Sequence, residues 1–271
     1  MNNLKFWKMS GSGNDFIIID NRNLTFPKNN VRDFISKICK RSLSVGADGV
    51  IFIEPSNIVD FKWDFYNSDG STAEMCGNGS RCAVRYCYLN GITGKKVQFE
   101  TLAGIIEAEI TEDTRVKVKL TNPIDYKPEL DIKLSDTTFQ AGFVNTGVPH
   151  VVIETDNIDN LDITRYGREI RFHEKFSPKG TNVNFCKVLK DNLVKIRTYE
   201  RGVEGETLAC GTGSAAVAYI LNKRNKVKTP VNLITSGGME LIIHVMGDDL
   251  YLEGEARVIY KGELTEEAYK Y

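Results

Sequence analysis

Cys76 and Cys210 stand in matching local settings. One is followed by Gly77-Asn78-Gly79-Ser80, the other by Gly211-Thr212-Gly213-Ser214, and in each case a helical pattern comes next. A thiol placed there sits at a helix N-terminus. First-turn backbone N–H groups have no partner inside the helix, and the helix dipole makes that end positive, so the position favours an anion such as a thiolate or a bound carboxylate. The two copies lie about half the chain length apart in a sequence of 271 residues. That spacing points to two related halves, each presenting one cysteine.

Bulk composition narrows the partner. With 35 basic and 36 acidic residues the net charge is −1, which leaves no electrostatic footprint for nucleic acid or an acidic membrane surface. A small molecule is the expected partner. The opening residues 1–9 lack a continuous apolar signal region, and no later apolar run has the length of a membrane span. The expectation is a cytoplasmic protein. Its six cysteines, Cys39, Cys76, Cys82, Cys87, Cys186 and Cys210, then read as reduced thiols rather than as a disulfide framework. No Cys-x-x-Cys occurs, and His150, His173 and His244 show no ligand spacing to the cysteines, so no metal is expected.

The elements that must carry the thiols follow from periodicity. Strands are expected at 4–9 and 16–19 around the turn Ser10-Gly11-Ser12-Gly13-Asn14-Asp15. That Gly-x-Gly is no dinucleotide fingerprint, because Phe16 takes the place of the third glycine and a strand follows where a helix is needed. Val31, Phe34, Ile35, Ile38 and Cys39 predict a helix over 31–42 with Cys39 in the core, capped by Asn29 or Asn30. Strands are expected at 50–53 and 61–66. The helix after Cys76 runs to the stop at Asn90-Gly91, with Cys82 and Cys87 as packing residues. Strands over 96–101, 105–110 and 115–120 close the first half as an antiparallel group. The prolines of 122–128 mark a boundary, giving domains 1–122, with 263–271 as a tail able to pack back on the first, and 123–262. The second half repeats the style, with strands at 139–145, 151–154, 183–189, 194–199, 231–235, 239–245, 250–253 and 256–260 and helices at 163–172 and after Cys210. The class is α+β with mostly short connections, not alternating parallel units.

On these residues the whole chain resembles the diaminopimelate epimerase family. The resemblance rests on Ser12-Gly13-Asn14-Asp15-Phe16, Gly46-Ala47-Asp48-Gly49, Asn67-Ser68-Asp69-Gly70-Ser71, Cys76-Gly77-Asn78-Gly79, Pro149-His150, Thr181-Asn182, Tyr199-Glu200-Arg201-Gly202 and Ala209-Cys210-Gly211-Thr212-Gly213. It implies two structurally similar domains, each a β-barrel-like mixed sheet around a central helix, with the active site in the interdomain cleft. It also implies cofactor-independent interconversion of LL- and meso-diaminopimelate, for lysine and cell-wall precursors, by a homodimer.

The residue types suit that chemistry. Inverting a stereocentre without a cofactor means removing the α-proton on one face and delivering one on the other. A thiolate and a thiol, Cys76 and Cys210, exchange these roles with direction. A free thiol has a pKa of about 8.5, and a helix terminus contributes about 0.3–1 kcal/mol against the roughly 1.4 kcal/mol of one pKa unit. A further group must therefore help, and the resemblance points to His150 beside one cysteine and Glu200 beside the other. Taken alone, His150 reads as a structural histidine and Glu200 as an exposed strand charge. The N–H groups of Gly77, Asn78, Gly211 and Thr212 suit the α-carboxylate and the charge developing on it. Arg201 offers a fork for a second carboxylate, with Asn14, Asn67 and Asn182 as donors and acceptors. Many family members have Gly-Asn-Pro-His where this chain has Gly147-Val148-Pro149-His150, and Val148 lacks that side-chain hydrogen bonding. The competing readings are a proline- or hydroxyproline-type racemase, a dithiol redox protein and a non-catalytic binding module.

Overall fold

The structure, a computed structural model, describes residues 4–271; the first three residues of the N-terminal stretch lie outside it. By contact the chain forms two units, Met1–Val118 with Gly254–Tyr271, and Lys119–Glu253.

In the first unit β1 (Leu4–Gly11) and β2 (Asn14–Asp20) make a hairpin. Ser12 and Gly13 at its tip both have positive φ, 51° and 86°, as a two-residue turn with the right twist requires. Helix α1 (Val31–Ile38) leads to β3 (Gly49–Glu54), parallel to β2, and β4 (Phe61–Asn67) returns antiparallel to β3. Helix α2 (Gly77–Leu89) crosses to β5 (Lys96–Thr101), parallel to β4, and β6 (Gly104–Ile110) and β7 (Arg115–Lys119) follow as antiparallel neighbours. The β2 and β3 side chains alternate between two apolar layers. Ile17, Ile19, Val50 and Phe52 pack with Phe34, Ile35 and Ile38 of α1, whereas Phe16, Ile18, Ile51 and Ile53 pack with Cys82, Ala83 and Val84 of α2. Residues 16–19 of β2 and 50–53 of β3 are apolar without a break because both faces are covered.

Helix α1 stops at Ile38, short of the expected residue 42, because the Gly46 N–H turns back onto the Ile38 carbonyl at 2.9 Å. Asn30 does sit at its start, but with φ 62° and no side-chain cap. Helix α2 ends as expected: Gly91 has φ 66°, and the Ile92 N–H reaches the Cys87 carbonyl at 2.9 Å.

The second unit begins with β8 (Ile124–Lys133) and β9 (Thr138–Asn145), an antiparallel pair, followed by β10 (Pro149–Glu154). Helix α3 (Ile163–Arg171) connects β10 to β11 (Asn182–Lys190), which is parallel to it; β12 (Leu193–Glu200) returns antiparallel. After the short β13 (Gly205–Thr207), helix α4 (Gly211–Lys223) crosses to β14 (Val231–Ile234), parallel to β12, and β15 (Glu240–Met246) and β16 (Asp249–Glu255) complete the unit. Each unit thus repeats strand, helix, parallel strand, antiparallel strand, buried helix, parallel strand. The parallel pairs, not foreseen from the short connections, each span a helix. Helix α4 is buried from Gly213 to Leu221 and takes the place in its core that α2 takes in the first.

Two stretches depart from expectation. Residues 122–128 do not simply break the chain, since β8 starts at Ile124 and tolerates Pro128 because its pairing with β9 slips between Ile124 and Lys127 and again between Lys127 and Leu130. A proline N–H is not needed in such an irregular ladder. The last strand, β17 (Arg257–Leu264), pairs along β1 from Leu4↔Leu264 to Ser10↔Arg257. Residues 254–262, assigned from sequence to the second half, therefore belong by contact to the first.

Candidate active site

Each cysteine caps its own helix. Cys76 and Cys210 have extended backbones, φ −147° and −128°, and their sulfurs accept from the third N–H of the helix, that of Gly79 at 3.5 Å and of Gly213 at 3.4 Å. Sulfur here does the work that Ser or Asp usually does at an N-cap. Both thiols are half-buried. Burial pushes Cys76 up, against the N–H groups of Gly79 and Asn78 and the charge of Arg81, with Asp48 adding to the rise. Burial and then the charge of Glu200 push Cys210 up, to about 11, opposed by the Thr212 hydroxyl and the N–H groups of Gly213 and Thr212.

In the first unit the polar groups form one chain. Arg81 Nη2 donates to Asn78 Oδ1 (2.8 Å), Asn78 Nδ2 donates to Asn14 Oδ1 (3.3 Å), and Asn14 Nδ2 donates to Asp48 Oδ2 (2.6 Å). A guanidinium can only donate, so it fixes the orientation of both amides in turn. Asn67, at the end of β4, donates to Ser71 Oγ at 3.0 Å and is exposed.

In the second unit a buried relay reaches the thiol. Asn184 Nδ2 lies 3.0 Å from the Val151 carbonyl and 3.1 Å from His150 Nδ1, while its Oδ1 accepts from the Thr198 hydroxyl at 3.0 Å. A carbonyl can only accept, so the amide nitrogen is identified and His150 Nδ1 must be an acceptor. The proton of neutral His150 is then on Nε2, 3.0 Å from Thr212 Oγ1, and the Thr212 hydroxyl is left to face Cys210 Sγ at 3.6 Å. His150 is fully buried, and burial followed by the charge of Arg201 holds its pKa at about 3. Burial also raises Glu200, opposed by the Thr207 hydroxyl.

Of the distal candidates, Asn182 uses its amide on backbone, donating to the Pro149 carbonyl (3.0 Å) and accepting from the Arg201 N–H (2.9 Å). It shapes the loop that carries Arg201 instead of offering free donors. Arg201 donates one bond to the Lys179 carbonyl at 3.3 Å. Val148 is half-buried in the turn between β9 and β10, with its carbonyl taken by the Thr146 N–H at 3.2 Å.

The fold groups these residues within each unit. The pairings Phe16↔Gly49↔Asn67 bring the starts of β2 and β3 to the end of β4, where Asn14, Asp48 and Asn67 meet. The pairings His150↔Asn182 and Val183↔Tyr199 likewise bring the starts of β10 and β11 to the end of β12, with Glu200. Sequence reasoning missed Arg81, Asp48, Asn184 and Thr198. Asn184 did leave a signal, a polar residue facing inward on the apolar strand Val183-Asn184-Phe185. Arg81 left another, a charge immediately beside the apolar run Cys82, Ala83 and Val84, in line with Asn78 three residues before and Arg85 four after.

A family model described as diaminopimelate epimerase matches residues 6–124 and again 142–259, once per half. The chain belongs to the diaminopimelate epimerase family. A diaminopimelate epimerase of Aquifex aeolicus (strain VF5) is 49% identical over 283 residues, covering 99% of this chain and 100% of that protein. One from Hydrogenobaculum sp. (strain Y04AAS1) is 50% identical over 275 residues, covering 97% and 99%. Among solved structures, a Bacillus anthracis phenazine biosynthesis protein of the PhzF family superposes with a TM-score of 0.71 at 14% identity, covering 98% of this chain and 100% of that one. A probable proline racemase from Agrobacterium radiobacter K84 gives 0.67 at 15% identity, covering 97% and 93%. These structures share the two-domain, sheet-dominated α+β fold. The family's members are isomerases, and among the described residues no helix is long and apolar enough to cross a membrane.

Proposed function

We propose that the chain epimerises LL-2,6-diaminopimelate to the meso isomer without a cofactor, with Cys76 and Cys210 as the two bases, in the route to lysine and peptidoglycan precursors. The observation that carries the reading is the duplicated helix-capping thiol in a chain whose relatives bear that name over their full length. The mechanism requires both sulfurs to reach one α-carbon from opposite faces. A thiolate takes the α-proton and becomes a thiol; the electron pair of the broken C–H bond delocalises into the α-carboxylate; the opposite thiol then gives its proton to the other face and is left as thiolate. Positive helix ends at Gly77-Asn78 and Gly211-Thr212 favour the doubly charged carboxylate of the intermediate over the substrate, the differential binding that lowers a barrier.

His150 acts in this scheme as a neutral donor to Thr212, whose hydroxyl faces Cys210 Sγ. Glu200 disfavours the Cys210 thiolate and so keeps that sulfur as the proton donor. Arg201, with one bond to backbone and further N–H groups to offer, is the partner for the distal carboxylate, and Asn182 holds the loop that carries it. The same reading includes a cytoplasmic homodimer acting on a small amino acid without nucleic acid, supported by family membership and by the near-zero net charge.

Proton NMR in heavy water tests it, following loss of the α-proton signal from LL-diaminopimelate and from proline for the wild type, Cys76→Ala and Cys210→Ala. Exchange with formation of the meso isomer, abolished by either substitution, is the expected result. Exchange with proline alone would keep the two-thiol chemistry and overturn the substrate, making Val148 the residue to change. No exchange under reducing conditions would favour the redox or binding readings.

A further inference from the structure

The two thiol sites are not electrostatic equals. Arg81 lies on α2, five residues after Cys76, and is fully buried. Its guanidinium is surrounded by neutral acceptors: the Ser12 hydroxyl and the Asn78 amide oxygen, each at 2.8 Å, and the carbonyls of Glu255 (3.3 Å) and Gly77 (3.4 Å). The cavity is shaped for it, since a Cβ at Gly254 would stand 3.2 Å from Arg81 Cζ and Nε. A guanidinium stays protonated in proteins, and a buried charge without an opposite charge is expensive. Burial lowers the Arg81 pKa, and the anions that oppose this are the thiolate forms of Cys82 and Cys76. Cys82 cannot serve at neutral pH, because burial pushes it to about 12. Burial raises Cys76 as well, but there the N–H groups of Gly79 and Asn78, at the positive end of the same helix, and the Arg81 charge oppose the rise.

Helix α4 carries no such cation near its thiol, and the charge of Arg201 on this side bears on His150. The position five residues after Cys210 is Ala215, and the groups that reach this thiol are neutral Thr212, backed by neutral His150, and the carboxyl of Glu200. On the first side the opposing charge is Asp48, which is already engaged by Asn14 and by Arg41 at 2.9 Å. We propose that Arg81 is the positioning residue that holds Cys76 as the thiolate of the resting pair, leaving Cys210 as the resting thiol. The assignment rests on the two-thiol reading, but its test does not depend on turnover.

Single-thiol proteins decide it. Cys210→Ala retains Cys76 and Cys76→Ala retains Cys210; thiolate absorbance and the rate of iodoacetamide alkylation, with the modified site located by mass spectrometry, give the ionisation of each across neutral to alkaline pH. The other thiols stay silent in this range, because burial pushes Cys39 and Cys82 to about 12 and raises Cys87 and Cys186 as well. Cys76 is expected to ionise at lower pH than Cys210. Adding Arg81→Met should move the Cys76 midpoint upward by about one to three units, the effect of losing a nearby opposite charge, and leave Cys210 in place. Arg81→Lys should restore most of the shift. Cys76 ionising at or above Cys210, or keeping its midpoint in folded Arg81→Met, would overturn the proposal. If Arg81→Met does not fold, the order of the two thiols and the Arg81→Lys midpoint still decide. Absence of epimerisation alongside the expected ionisation order would count against the proposed function alone.

Discussion

Replacing His150 by glutamine should flatten the acid side of the stability curve of the second unit. His150 is fully buried between Asn184 and Thr212, and burial followed by the charge of Arg201 lowers its pKa from 6.5 to about 3. Between those values the unfolded chain binds a proton at this residue and the folded chain does not. Its contribution is therefore complete above the unfolded pKa and is lost as pH falls towards the folded one. The slope for one such group is about 1.4 kcal/mol per pH unit, or about 2 kcal/mol between pH values of about 6.5 and 5. His150→Gln cannot titrate. His173, His244 and the carboxylates remain in both proteins and cancel in the difference. At neutral pH the variant should be less stable by about 1–3 kcal/mol, the cost of leaving buried hydrogen-bonding groups unpaired. Hydrogen exchange of the α4 amides, which reports the second unit, should show that deficit shrinking by about 2 kcal/mol over the same pH interval. A deficit independent of pH would refute the reasoning, because it would mean that folded His150 titrates much as the unfolded residue does.

Two further predictions test the framework beneath each thiol. Gly213→Ala would put a Cβ 2.3 Å from Asn184 Oδ1 and 3.3 Å from Cys210 Sγ; it should cost about 1–3 kcal/mol of stability and lower the rate of α-proton exchange. Gly205→Ala, which meets open space, is the control, and equal effects of the two in thermal melts and exchange assays would argue against the relay. Asp15→Asn removes the carboxylate that Lys8, 6% exposed, meets at 2.8 Å, leaving a buried ammonium with the Gly46 carbonyl. A loss of about 3–5 kcal/mol is expected from denaturant unfolding of the first unit, and a loss below about 1 kcal/mol, the range of an exposed pair, would show that Asp15 is not what neutralises Lys8.

Local sequence determined the parts of this protein that local physics can specify. The two Cys-Gly-x-Gly-Ser segments start helices because sulfur can cap and glycine permits close approach, and both do so where expected. Strands such as 50–53 and 183–189 were legible because apolar runs bounded by turn residues have few other solutions. The repetition of the thiol motif also fixed the idea of two related halves, which the family match to both bears out.

What the sequence could not decide depended on long-range pairing. Nothing local in 257–264 says that it will lie along β1, and nothing in Ile124-Asp125-Tyr126-Lys127-Pro128 says that an interrupted ladder with β9 will hold it as a strand. Asn182, expected to face substrate, is turned to backbone because β10 and the loop after β12 come within its reach. Arg81 has the most ordinary of surface side chains, and only the closing of the sheet around α2 makes it a buried cation. The tautomer of His150 follows from a single carbonyl, that of Val151, on the strand beside Asn184. Secondary structure is set by propensities over a few residues, whereas the charge and proton position of a site are set by which groups exclude water from one another, and the tertiary fold alone chooses those neighbours.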